Sequence, residues 1–571
     1  MRNDKLLAVD LFSGAGGLSL GFLQTGQVQI VAAVENNKYA QKTYERNHKG
    51  VKIFNDIISL NDDKNNSLEQ IMSECNKFGR DRVDIVFGGP PCQGFSNANR
   101  QKTELISTNN QLVKEYVKTI EMLNPDAFVM ENVKSMKSAK HKFFYSLEDK
   151  NLVENLGLNL IEEKIAIGKE TELTEELIVF LKEKILEKAD LSNYILKDKN
   201  VFLRLRQLGR KEKDLSTYLV KVEIELEKMF FRWEELHQEL WSARYMEKWR
   251  LLREQIQNKG LDQSDTDLII SYLKEIIEVQ RILMRTNEII SNNIEIKNIV
   301  TINKVVYIQV QTYGVLDYLV AKFRELGYVL NENHLILNAA NFGVPQLRER
   351  LFLIGVKSKF VLEQNVELPN PIIHNPDQFY TVKDAIEDLE ELTPYTIMDA
   401  DSPLEKSLSK KTNPLIQYLS GSVDTVRNHI MTETRQTALD RFKMLEPGQN
   451  FHDLDESYKQ TYSNPGRTQN TVYQRLHYDK PSGTVLNVRK SMWIHPRKIR
   501  AISIREAARI QSFPDYFIFE GTKDSQYQQI GNAVPPLLGR AVAEQVLKYI
   551  GISEIELLAD IIKPRETIST P

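Results

Sequence analysis

Cysteine is nearly absent: the 571 residues hold two, Cys75 and Cys92. Two thiols cannot build a disulfide framework or an all-cysteine zinc site, so a reducing compartment is the natural setting and no metal site is expected. Proline is missing from the whole stretch between Pro125 and Pro345, which removes the usual helix breaker there. Charge of one sign is not in excess. With 75 Lys+Arg against 78 Asp+Glu the net charge is −3, so any nucleic-acid surface must be a local patch set against acidic surface elsewhere. Long apolar runs are missing as well. None approaches a membrane span, the mean hydropathy is −0.39, and Met1 to Lys5 enter a strand-like segment without the apolar stretch of a signal peptide. A soluble cytoplasmic protein is expected.

What is present has α/β texture. Short apolar runs at Leu6 to Val9, Ile30 to Val34, Val51 to Phe54, Val83 to Phe87 and Ala127 to Met130 alternate with helical patterns. Such alternation implies crossover connections and a mostly parallel sheet covered on both faces. From about His141 to Lys304 the composition turns Leu/Ile/Lys/Glu-rich. Met229, Trp233, Leu236 and Leu240 are spaced by four, three and four, and Leu268 to Ile290 repeats the pattern, so long amphipathic helices are expected there. Gly260 would separate two of them. Sheet-like texture resumes at Tyr328, and from Leu368 to about Trp493 the chain reads as loop-rich.

Asp10-Leu11-Phe12-Ser13-Gly14-Ala15-Gly16-Gly17 follows a strand and opens a helix. Glycines let the backbone approach a ligand there, and helix amides face its negative groups; a tight turn without a ligand would also call for glycine. Glu35 ends the next strand, where an acid accepts hydrogen bonds from ribose hydroxyls in nucleoside-binding sheets. Asp56, after the third strand, is placed to take an adenine amino group, with Ile57 beside it. The loop lacks the third glycine of a dinucleotide fingerprint, so a nicotinamide cofactor is the second choice.

Val83 to Ser96 is the most informative stretch. Two glycines and two prolines place Cys92 on a rigid loop just past a buried strand, at the sheet edge where ligands bind. A lone cysteine is more often inert; the loop around this one favours a reactive thiol.

With Gly89-Pro90-Pro91-Cys92-Gln93 the chain resembles the cytosine-5 DNA methyltransferase family, and its other motifs follow in the family's order. Phe12 to Gly17 looks like the cofactor loop, Glu131-Asn132-Val133 like the acid motif, and Gln346-Leu347-Arg348-Glu349-Arg350 like the paired-arginine motif. Ser503 to Pro514 and Gly531-Asn532-Ala533-Val534-Pro535-Pro536 resemble the last two. The resemblance implies a Rossmann-like α/β methyltransferase domain, a smaller loop-rich target-recognition domain and, as a departure from the family pattern, a long helical insertion. It also implies S-adenosylmethionine as cofactor, held by Phe12, Ser13, Gly14, Gly16, Gly17, Glu35, Asp56, Ile57, Pro90, Asn532 and Val534, and double-stranded DNA as partner.

The chemistry accounts for the residue types. Carbon 5 of cytosine becomes nucleophilic only after a thiolate adds at carbon 6, which Cys92 supplies. The charge pushed into the ring calls for a proton at ring nitrogen 3, and by resemblance Glu131 provides it. Arg348 and Arg350 alternate with Leu347 and Glu349, so both share one face. By resemblance Arg350 holds the cytosine oxygen and Arg348 shapes the site near Cys92. The target base must leave the stack, and the polar stretch Ser96 to Ser107 suits closure over it.

Residues 1–140 are expected to form the first part of the catalytic domain, 141–310 the insertion, 311–360 the second part, 361–494 the recognition domain, 495–557 the C-terminal part and 558–571 a tail. Gln93, Ser96, Asn97, Arg475, Arg489 and Arg497 are the expected DNA contacts, from their polar or basic character; Asn428-His429, Arg467 and Tyr473 lie in similar segments. Trp233, Trp241 and Trp249 on a helical stretch suggest docking of a cognate restriction or phage-defence protein. A transfer-RNA methyltransferase of the same family is a rival, disfavoured because no cysteine follows Cys92. So is a DNA-binding protein with a decayed site, against which Cys92, Glu131, Arg348 and Arg350 stand intact.

Overall fold

The computed structural model describes residues 5–91, 108–138, 141–211, 236–237, 239–257, 263–361, 365–398, 402–406, 413–462 and 464–565, with a few positions between 215 and 226. Its strands are β1 (Leu6–Leu11), β2 (Val28–Val34), β3 (Lys52–Phe54), β4 (Ile85–Gly88), β5 (Ala127–Val133), β6 (Lys142–Phe144), β7 (Ile161–Lys169), β8 (Ile296–Ile302), β9 (Val305–Gly314), β10 (Tyr328–Leu330), β11 (Ile336–Asn338) and β12 (Glu349–Lys357), followed by two short ones. Eight of these form one sheet in the order β10-β12-β5-β4-β1-β2-β3, with β11 on β12. Strands β3, β2, β1, β4 and β5 are parallel, and β12 joins β5 antiparallel. Ala8, Val9, Ile85, Val86, Phe128 and Val129 are all buried, as strands covered on both faces require. The fold is the expected α/β class with a mostly parallel sheet.

Strand order reverses between β1 and β4, so their carboxyl ends diverge and open a crevice at that edge. Helix α1 (Gly17–Leu23) leaves the β1 loop, and α2 (Lys38–Asn47) starts where the Asn37 side chain caps the Tyr39 and Ala40 amides. Asp56 caps the short helix α3 (Ile57–Leu60). These caps satisfy helix-start N–H groups and put the loops after β1, β2 and β3 side by side.

The rest of this unit comes from residues 322–571. Helices α4 (Ile504–Ile510), α5 (Lys523–Asn532) and α6 (Pro536–Tyr549) close it, with α6 packed along α1. Carbonyl Val534 O lies 2.2 Å from where a side-chain carbon on Gly17 would sit, so this contact exists only because position 17 is bare. The 361–494 stretch belongs to the same unit and adds a small core of its own around Phe442, Phe451, Tyr473 and Ile494. Ions fasten that stretch to α4: buried Arg509 donates to Asp515 at 2.8 and 2.6 Å and also to Asp388, while Lys406 reaches Asp515 at 2.9 Å. Each charge meets an opposite one, which is the condition for tolerating such burial.

The second unit holds described residues of 138–321. Long helices are present at Ala243–Gln257 and Gln263–Ser291, around a core containing Trp249, Leu273 and Ile276. Beside them lies a four-stranded antiparallel sheet, β6, β7, β8 and β9, which the helical expectation missed. In β9 the alternation is plain: Val306, Ile308 and Val310 are buried between half-exposed Tyr307, Gln309 and Gln311. Among the described residues no helix is long and apolar enough to cross a membrane.

Candidate active site

The loop after β1 is wound by left-handed residues: Phe12 has φ 59°, Gly14 55° and Gly16 93°. Gly16 needs both its freedom and its missing side chain, because a Cβ there would stand 2.2 Å from the ring of His48. Ser13 donates its amide to Val34 O at 3.0 Å, and Gly14 donates its amide to Glu35 Oε2 at 2.8 Å. Glu35 Oε1 accepts from Asn37 N at 2.7 Å. Burial raises the Glu35 carboxyl pKa above its usual value, opposed by those backbone amides. Asp56 holds Ser59 N through Oδ2 at 3.1 Å, and Ile57 is buried next to it. Ser13 Oγ is buried without a partner, an orphaned hydroxyl in the loop. A ligand bearing amino, carboxylate and ribose groups would satisfy it, so the residues fit a nucleoside-type methyl donor. Asn532 is exposed and accepts from Gln528 at 2.8 Å, and Val534 is buried against α1.

His48 props this loop from below, packed on Tyr44 with ring centroids 4.3 Å apart. Burial pushes its pKa from 6.5 to about 4. An unfolded chain takes up this proton near pH 6.5, whereas the folded one resists to about pH 4; the stability is therefore present above that window and lost as pH falls through it. The shift corresponds to roughly 3 kcal/mol. Urea unfolding of a His48→Phe variant is expected to lose correspondingly less stability between pH 6.5 and 4 than the parent; equal losses would remove His48 from this account.

The chemical edge is assembled from three strands. Glu131 and Arg350 are diagonal neighbours across β5 and β12, since Phe352 faces Glu131 and Arg350 faces Val133. Arg350 Nε lies 3.2 Å from Glu131 Oε1, with only 12% and 14% of the two side chains exposed. Burial raises the Glu131 pKa, against the pull of Arg350 and Arg348. On the other side Glu131 Oε2 sits 2.8 Å from where a Gly89 Cβ would be, and Asn132 Nδ2 donates to Pro90 O at 2.8 Å. The acid motif thus fixes the start of the loop that carries Cys92. Cys92 itself lies outside the described residues, as do Gln93, Ser96 and Asn97.

Arg348 is 1% exposed and stands behind this edge rather than in it. Its guanidinium donates to Val485 O at 3.1 Å, Gly531 O at 3.1 Å and Ala533 O at 2.9 Å. Burial, with the like charge of Arg350 nearby, lowers its pKa to about 9. Gln346 works in parallel, accepting from Val485 N at 2.8 Å and donating to Gln511 Oε1 at 3.0 Å, while Gln511 donates to Ile530 O at 2.8 Å. This amide relay and the Pro481-Ser482-Gly483-Thr484 segment that pairs with it had no assigned role in the sequence. The signal was there: an uncharged amide beside an arginine pair, and a turn-forming run before Val485.

Three expectations need correction. Arg475 does not face DNA: its guanidinium is buried and donates to Pro496 O, Phe442 O and Leu445 O at 3.1, 3.0 and 2.8 Å. Basic character was misread as surface character. Asn428 and His429 are likewise internal, with His429 Nε2 donating to Leu392 O at 3.1 Å and its Nδ1 bonded to Ser503 Oγ at 3.0 Å. Trp249 is fully buried in its own unit's core and half-buried Trp241 packs on Phe180 and Tyr245, so neither is held out for a partner; Trp233 lies outside the described residues. Arg489 and Arg497 are at the surface, near Asp524 at 3.1 Å and Glu390 at 3.5 Å. Such exposed pairs are weak enough to exchange an acid for a phosphate.

A family model described as C-5 cytosine-specific DNA methylase matches residues 6–157 and 307–548. The type II methyltransferase M.DdeI of Desulfomicrobium norvegicum is 34% identical over 260 residues, 43% of this chain and 60% of that protein. The type II methyltransferase M1.HphI of Haemophilus parahaemolyticus is 24% identical over 545 residues, 95% of this chain and 87% of its own length. Among solved structures, an Escherichia coli chain described as a DNA modification methyltransferase encoded within a prophage aligns with TM-score 0.51 and 18% identity, covering 96% of this chain and 99% of that one. This last likeness concerns the fold.

Proposed function

Because the chain belongs to the C-5 cytosine-specific DNA methylase family, we propose that it methylates carbon 5 of a flipped cytosine in duplex DNA, with Cys92 as nucleophile. The observation that carries this reading is the meeting of Glu131, Arg350 and the Gly89-Pro90 segment at one sheet edge. S-adenosylmethionine, when bound, supplies an electrophilic methyl group. Phe12, Ser13, Gly14, Gly16, Gly17, Glu35, Asp56, Ile57, Pro90, Asn532 and Val534 would hold it. The Cys92 thiolate adds to carbon 6, and the electron pair displaced from the ring is met at nitrogen 3 by the proton of Glu131. Arg350 holds Glu131 in place and presents its remaining donors to the cytosine oxygen. Once carbon 5 has taken the methyl group, it gives its proton to a solvent water, the electron pair expels Cys92 as a thiolate, and nitrogen 3 returns its proton to Glu131, restoring the ring. Arg348 keeps the C-terminal motif behind the site. Kinship with type II methyltransferases supports a restriction-modification role, with Arg489 and Arg497 on phosphates.

Bisulfite sequencing of DNA from cells expressing the chain is expected to show protected cytosines within one short sequence, and none with Cys92→Ala. A duplex carrying 5-fluorocytosine at that site is expected to remain covalently bound to the parent protein only. Protection that persists in the Cys92→Ala cells would exclude the thiol mechanism.

A further inference from the structure

Two stretches beside the catalytic edge each turn a leucine to solvent, and the first also buries its polar neighbours. In one, Gln346 and Arg348 are buried at 0% and 1% while Leu347 between them is 45% exposed; in the other, Val485 is buried and Leu486 is 51% exposed. The stretches are bound to each other: Leu347 N donates to Ser482 O at 2.8 Å, Thr484 Oγ1 donates to Leu347 O at 3.0 Å, and Gln346 and Arg348 grip Val485 N and Val485 O. Gly531 lies directly under Leu486, since a Cβ there would be 2.5 Å from the Leu486 carbonyl carbon. Both leucine backbones are therefore fixed, and buried polar groups hold them in that attitude. Single exposed leucines are ordinary; a pair locked outward by a buried arginine and a buried glutamine is not.

We infer that Leu347 and Leu486 form an apolar rim that packs into the duplex where the target cytosine has left the stack. The inference rests on the reading that the enzyme flips a cytosine. The rim borders the catalytic edge, because Leu347 lies three residues before Arg350, which meets Glu131 at 3.2 Å. A base that reaches Glu131 leaves its two former neighbours with unstacked apolar faces close to this rim. Leucine side chains are among those that wedge between base steps in bent or opened DNA, and a rim set in advance loses little freedom on contact. The occupant is the duplex itself, at the flanking sugars and bases, and the contact forms only in the flipped state. Leu347 and Leu486 are thus positioning residues for base extrusion, outside the bond-making steps.

The test uses the full chain with both leucines replaced by serine, and a duplex of the bisulfite-mapped sequence with 2-aminopurine at the target position. Emission of the bound duplex is expected to fall several-fold and cognate affinity to weaken about tenfold. Affinity for a non-cognate duplex of equal length and the melting temperature should stay unchanged, and methionine at both positions should restore emission. Unchanged emission overturns the inference, as does a loss shared equally by non-cognate binding and melting temperature. Parental methylation of the same sequence is measured alongside: its absence would defeat the parent reading, whereas its presence with unchanged emission defeats the rim alone.

Discussion

Glutamine in place of Glu131 is expected to slow methylation by about 10²–10⁴-fold, the usual worth of a positioned general acid, with cognate DNA affinity changed only a few-fold. The size follows from what the amide cannot do. Glutamine keeps the shape beside Gly89 and can offer an N–H to nitrogen 3, but it has no proton to surrender when charge enters the ring. Burial raises the pKa of Glu131 while Arg350 and Arg348 oppose the rise, so the protonated form extends to higher pH than in an exposed glutamate. Activity that depends on this proton is present below the raised pKa and declines as pH climbs through it. Initial rates with a labelled methyl donor across a pH series should show that decline in the parent and lack it in Glu131→Gln. A variant that kept parental rates would sink the assignment of the acid.

Arg348→Met is expected to cost about 3–5 kcal/mol of stability, the range for breaking a buried charged hydrogen-bond set, and to depress activity well beyond what the fall in folded protein explains. Three carbonyls, those of Val485, Gly531 and Ala533, lose their donor together. Lysine keeps the charge but, with one tetrahedral ammonium in place of a planar fork, cannot span all three, so Arg348→Lys should recover only part. Chemical unfolding and rates at matched folded fractions check both points. A methionine variant as stable as the parent would mean that this clamp closes nothing.

The parts of the site that were readable from sequence sit at strand ends. A glycine loop after one apolar run, Glu35 after the next and the acid Glu131 near the end of a third share an edge once the sheet is parallel, because parallel strands point their carboxyl ends the same way. Arg348 and Arg350 were assigned to one face, and the structure separates their surroundings: Arg350 meets Glu131, whereas Arg348 turns to three carbonyls. No local pattern announces carbonyls supplied from segments so far along the chain. Arg475 failed for the same reason. In the insertion the strands were hidden by composition, since Ile161 to Lys169 reads Ile-Glu-Glu-Lys-Ile-Ala-Ile-Gly-Lys, which suits a helix as well as an edge strand. Ser503 to Pro514, likened to a family motif, proved to be interior scaffold: Ser503 and Glu506 cap each other across the start of α4, and Arg500 grips Glu506 at 2.8 and 2.7 Å.

The bare flank of Gly17 against Val534 also bears on the order of events during synthesis. Helix α1 has seven residues, too few to persist in water unaided, and the surface that shelters it is delivered by α6, near the opposite end of the chain. A ribosome that has released every strand of the sheet has still not released the support of the glycine loop. Chains truncated before α6 are therefore expected to leave the glycine loop unsupported and to transfer no methyl groups.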